Sequence, residues 1–193
     1  MSRSDPSAAK KERNKTIRWV VTIFFVTIFV SGMISFASNE IMADSTIPVA
    51  FVILLAIILI GIIFDIIGVA VTSADEKPFH SMAARKVPGA QESIRLLRNA
   101  ERVSSICNDV VGDICGVVSG SASAAIAVQV LDSFTFTLPA LVTLLMSALV
   151  AGLTVGGKAV GKTFAIKSCT KIVHNVGKII WGFRHFSLKT KKK

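Results

Sequence analysis

Asp109 and Asp113 stand four residues apart in an apolar stretch, residues 103–130, with Asn108 directly before them. At helical spacing the two carboxylates share a face. A carboxylate at membrane depth costs about 2.5 to 3.5 kcal/mol on insertion scales, so an acid retained there is a candidate for handling an ion. Asp65 is a third such acid, placed toward the far end of another apolar run, residues 47–71. If it approaches Asn108 and Asp109, carboxylate and amide oxygens gather in the inner half of the membrane. Hard cations such as Mg2+ take oxygen ligands and keep several waters, which suits that donor set. The expected metal ligands are therefore Asp65, Asn108, Asp109 and Asp113, with no resident cofactor and Mg2+ as the ion bound or carried. Two structural alternatives stand beside this reading: Asp65 is hydrated at the interface, or the acids pair with Lys158 or Arg102.

The elements that must position these residues are membrane helices. Of 193 residues 52% are hydrophobic, although 22 are Lys or Arg, and the mean hydropathy is +0.64. A soluble core does not need that much apolar surface. Residues 19–37, 47–71, 103–130 and 133–156 approach or exceed the roughly 20 residues that span the hydrocarbon. The fold class expected is an all-α membrane protein of four transmembrane helices with cytoplasmic juxtamembrane amphipathic helices. Residues 1–18 form a basic tail, 19–171 the membrane domain and 172–193 a basic amphipathic tail. The first apolar run is longer than a signal-peptide core, and Ser38-Asn39-Glu40 is a weak cleavage site, so it is expected to remain as a span.

Orientation follows from charge. The N-terminal tail carries six Lys or Arg, residues 74–102 six, and residues from Gly157 onward ten, while the two remaining loops carry none. The positive-inside rule then places both termini in the cytoplasm of a multi-pass protein of the plasma membrane. The +10 charge is accounted for by this topology, so nucleic acid is not an expected partner. The expected partner is a bilayer with an anionic inner leaflet.

Residues 76–102 are broken by Pro88-Gly89, and Ile94, Leu96 and Leu97 alternate with Glu92, Arg95 and Arg98 at helical spacing. This pattern predicts a short amphipathic helix at the interface, or a solvated helical connector. Phe164, Ile172, Val176, Ile179, Ile180 and Phe183, with lysines between them, predict a second surface helix, and Lys191-Lys192-Lys193 would add attraction to anionic lipid. In the third span Gly112, Gly116 and Gly120 form a GxxxGxxxG stripe that permits close helix approach and a homodimer. Cys107, Cys115 and Cys169 match no metal or disulfide spacing and read as free thiols. Residues 156–163 spell GxxxxGK[ST], but no strand precedes them and no Asp or Glu follows Asp132, so a phosphate loop is not expected. No nucleophile–base constellation points to an enzyme.

Two segments carry a family resemblance: Ser93-Ile94-Arg95-Leu96-Leu97-Arg98, and Ile106-Cys107-Asn108-Asp109-Val110-Val111-Gly112-Asp113-Ile114. They resemble the transmembrane (DUF21) domain of the CNNM/CorC magnesium transporters, with its L-L-x-x-P-x-R and I-G-N-N-L-V-N-I stretches. Residues 157–165 look like that family's G-E-I-L-P-K-T-L-A, and the similarity covers residues 61–171. It implies a dimeric Mg2+ transporter module with a site among the membrane helices. Gly68 and Lys158 stand where the family has acids, and only Asn108 matches its Asn-Asn pair directly. No CBS pair follows the tail in this sequence, so regulation by ATP is not carried over, and residues 19–37 look like an added leading span. The alternative function is a non-transporting accessory or scaffold subunit with a degenerate ion site.

Overall fold

The computed structural model describes residues 6–43, 45–134 and 138–190. Asp44 and Lys191 to Lys193 lie outside them. Every regular element described is helical: α1 (Pro6–Ala43), α2 (Ile47–Ser73), α3 (Lys77–Ala84), α4 (Ala90–Arg98) and α5 (Ala100–Ser105), then a π-helical segment (Ile106–Gly112), α6 (Asp113–Ser133), α7 (Pro139–Lys167) and α8 (Cys169–Thr190). Four stretches are long and apolar enough to cross a membrane: Thr16–Ser38, Ile47–Ser73, Ala100–Ser133 and Pro139–Lys167. The protein is an all-α membrane protein with four such helices.

Local chemistry fixes the boundaries. Pro48, Pro78 and Pro139 each sit in a first helical turn, where the missing N–H is not needed and φ is already helical. Pro139 also moves the fourth span. It starts there and not at residue 133, because α6 ends at Ser133 and Phe134 turns extended. The helix then runs past residue 156, the expected end of the span, to Lys167, carrying Lys158, Lys162 and the GxxxxGK[ST] lookalike in continuous helix. A phosphate loop needs exposed, non-helical amides, so the lookalike has no such geometry.

Within the membrane, Ala50, Leu54 and Ile58 of α2 repeat every four residues and pack on Ala122 and Ile126 of α6 and Val150 of α7. That spacing puts one stripe of α2 against two neighbours. The close approaches come from glycines other than the stripe expected on the third span. Gly157 and Gly161 of α7 receive Ile62 and Ile66 of α2, and a methyl at Gly61 would stand 2.8 Å from Cys115 Cβ. Among the described residues no neighbouring group comes within 4 Å of where a methyl at Gly116 or Gly120 would be, so of the stripe only Gly112 is packed.

A second apolar cluster caps the end of the bundle that the charge pattern assigns to the cytoplasm: Ala70 and Val71 of α2, Phe79 of α3, Ile94 of α4, Ala165 of α7 and Val173 of α8. The amphipathic connector is thus two helices, α3 and α4, broken where the sequence placed Pro88-Gly89. Gly89 has φ +84°, which favours glycine. The backbone of α8 crosses there, since a methyl at Gly89 would lie 2.6 Å from the Lys178 amide nitrogen, and Gly177 abuts Ser93. The Ser93 hydroxyl lies 3.2 Å from the Val173 carbonyl, and Arg184 donates to Glu92 at 2.9 Å. Helix α8 therefore docks on α4 through Val173 and Gly177 while leaving Ile179, Trp181 and Phe183 exposed.

Candidate functional site

Asp65 is the centre of the candidate site. It lies on α2 with 4% of its surface exposed, and among the described residues its Oδ2 has no hydrogen-bond partner. Unpaired buried carboxylates are rare because the lost hydration is not recovered. One turn further along α2, Gly68 leaves a notch that the Asn108 side chain fills. Asn108 Nδ2 donates to Ser104 Oγ at 3.2 Å, while among the described residues its buried Oδ1 has no partner. Two acceptor oxygens thus line one seam between α2 and the segment that carries Asn108.

That segment is the π-helical stretch of the third span. A π turn bonds i to i+5, widens the backbone and leaves carbonyls poorly matched to the α ladder, and such turns recur at functional sites. Here the Gly112 carbonyl accepts from Lys158 Nζ at 3.4 Å. The same ammonium stands 3.9 Å from Asp113 Oδ1, with the Lys158 side chain 22% and the Asp113 side chain 71% exposed. A methyl on Gly112 would be 3.5 Å from Lys158 Nζ and 4.0 Å from Asp65 Oδ1. Absence of a side chain at Gly112 lets the carboxylate of α2 and the ammonium of α7 approach from two sides.

The four residues expected as ligands therefore separate. Asp65 and Asn108 share the α2 seam. Asp113 meets Lys158 at its edge, and Asp109 is exposed and accepts from Ser105 Oγ at 2.8 Å. Among the described residues no three His, Cys, Asp or Glu side chains gather as a metal cluster. Of the two basic residues weighed as partners for the acids, Lys158 takes that place. Arg102 instead stacks over Trp19, 5.8 Å from the ring centre.

No family model, curated protein or solved structure matches the chain. The likeness to CNNM/CorC proteins rests on the quoted motifs alone.

Sequence reasoning missed Gly68 and Gly112 as parts of the site. Glycines in an apolar helix are a usable signal only when the opposing residue is known, and the notch at Gly68 has meaning through Asn108. A cleft of about 230 Å³ lies between residues 51–58 of α2 and 149–153 of α7. Its lining is aliphatic and aromatic, so it offers no polar chemistry. Outside the membrane, burial and then the nearby Lys178 charge hold the His174 imidazole below its usual pKa.

Proposed function

We propose that the chain is a cation-binding module of the plasma membrane, with both termini in the cytoplasm, that holds or passes a hard divalent cation between α2 and the third span. The observation that carries this reading is Asp65, a buried carboxylate whose Oδ2 is unpartnered. Asn108 Oδ1 and the Gly112 carbonyl complete an all-oxygen donor set, which suits Mg2+ with part of its hydration shell retained. The resemblance to CNNM/CorC transporters supports Mg2+ as the ion and transport as the outcome. Lys158 is the resident positive charge beside these donors. Entry of a cation requires its ammonium to swing toward the exposed Asp113, so ion binding and Lys158 displacement are one event. Open space at Gly116 and Gly120 supports pairing of two copies through α6. The reading contains no enzymatic step.

Lys158 also favours a second reading, a non-transporting accessory subunit in which a tethered ammonium permanently replaces the ion. Mg2+ flux into proteoliposomes of the purified chain separates the two. Flux that is lost in Asp65→Asn, and reduced in Gly68→Ala where Asn108 is displaced, supports transport. Folded protein without flux, both as the parent and as Lys158→Met, supports the accessory role.

A further inference from the structure

The first and third spans enclose a cleft of about 290 Å³ lined by Arg18, Trp19, Thr22 and Arg102. Arg102 lies over the Trp19 ring, 5.8 Å from its centre, a cation–π contact that holds its charge at the cleft without neutralising it. Neighbouring arginines are engaged elsewhere, Arg98 by Glu76 and Arg95 by Glu92. Among the described residues neither Arg18 nor Arg102 has a carboxylate within ion-pair distance. Thr22 turns its hydroxyl back to the Arg18 carbonyl at 2.7 Å and so does not neutralise the cleft. Two like charges lining one cleft repel unless an anion lies between them.

The position of the cleft identifies the anion. Trp19 opens the apolar run of α1, and tryptophan at a span end marks the headgroup level of the bilayer. Directly beyond it, on the face of α1 that carries Arg18 and Thr22, Phe25, Val26 and Phe29 are exposed, a surface that fits acyl chains. We propose that Arg18 and Arg102 bind the phosphate of an anionic phospholipid of the inner leaflet, with its chains lying along Phe25, Val26 and Phe29. Guanidinium forks match phosphate oxygens bidentately. A headgroup whose phosphate is unscreened, as in phosphatidic acid, fits better than phosphatidylcholine, whose own ammonium competes for it. This site is separate from the diffuse attraction of the lysine-rich C-terminal residues, and it stands whether or not Asp65 binds a cation.

The test uses the full chain with Trp181→Phe, so that Trp19 alone fluoresces, in phosphatidylcholine nanodiscs containing lipids brominated near the carbonyl end. Brominated phosphatidic acid is expected to quench Trp19 at a several-fold lower mole fraction than brominated phosphatidylcholine. Arg18→Gln and Arg102→Gln should each raise the mole fraction required by about fivefold, and the pair by on the order of twentyfold. Lys191→Gln/Lys192→Gln/Lys193→Gln should leave it unchanged. Arg18→Lys/Arg102→Lys keeps the charge without the fork and should bind at an intermediate mole fraction, which guards against misfolding of the glutamine variants. Equal quenching by the two lipids, parent-like binding in the lysine pair, or reversal by millimolar inorganic phosphate would each overturn the proposal, the last by making this a site for a soluble anion.

Discussion

Replacing Lys158 by methionine is the most informative single change, because two terms of similar size meet at Asp65. Leaving a carboxylate unneutralised at membrane depth costs about 2.5 to 3.5 kcal/mol. An ammonium near ion-pair distance returns up to about 4 kcal/mol at an effective dielectric of about 20. Lys158 lies beyond direct bonding distance of Asp65 but against the same glycine, so the two terms nearly cancel. Asp65→Asn should therefore be close to neutral, within about 1 kcal/mol. Lys158→Met should cost about 2 to 3 kcal/mol, and the double variant should recover most of that loss, a coupling within the range of contacting charged pairs. For a chain of this size the single loss corresponds to a fall in Tm of roughly 4 to 12 °C. Circular dichroism melts in micelles, with and without 10 mM Mg2+, read the whole cycle. Removing the resident ammonium should also enlarge the Mg2+-dependent rise in Tm, since bound ion stabilises by mass action. A neutral Lys158→Met with no coupling to Asp65 would refute the electrostatic account of the site.

Other parts of the molecule give independent checks. Gly177→Ala and Gly89→Ala push α8 off α4, the first by overpacking and the second with added strain at φ +84°; each should cost about 1 to 3 kcal/mol, seen as faster amide exchange in α8. The depressed pKa of His174 means its neutral form is favoured in the fold. Stability should therefore fall as pH drops below about 6.5 and stop falling below the folded-state pKa, a dependence that His174→Gln should remove. Finally, Glu40→Cys should react with an impermeant maleimide from outside intact cells and Gln91→Cys only after permeabilisation, the reverse of which would invert the topology.

The spans were legible because hydropathy over about 20 residues is a strong signal, and α2 begins at Ile47 as its apolar run does. The break between α3 and α4 was legible because Pro88-Gly89 is local chemistry. The start of the fourth span was misplaced because residues 133–138 are apolar enough to pass as membrane, whereas Pro139 defines the helix start. Which glycines would be packed was not legible. Gly112, Gly116 and Gly120 have the spacing for close approach, yet Gly61, Gly157 and Gly161 make it, since only the facing side chain decides. Of the site, Asp65 and Asn108 were found by their polarity. That Asp109 turns to Ser105 and Asp113 to Lys158 was not, because only the neighbouring side chains decide it.

The π-helical turn has a consequence of phase. Accommodating on the order of one extra residue turns everything after Gly112 by about 100° relative to everything before Ser105. The third span is thus two registers joined end to end, one meeting α2 through Asn108 and the other meeting Lys158 of α7 through Asp113 while packing on α2 through Ala122 and Ile126. Deleting a single valine at Val110 or Val111 would let the helix heal to uniform pitch with both halves still facing their neighbours. The same deletion in the regular turns of α6 would instead rotate all that follows by about 100° and strip its contacts. Where along the span a residue is lost, more than which residue it is, decides which contacts survive.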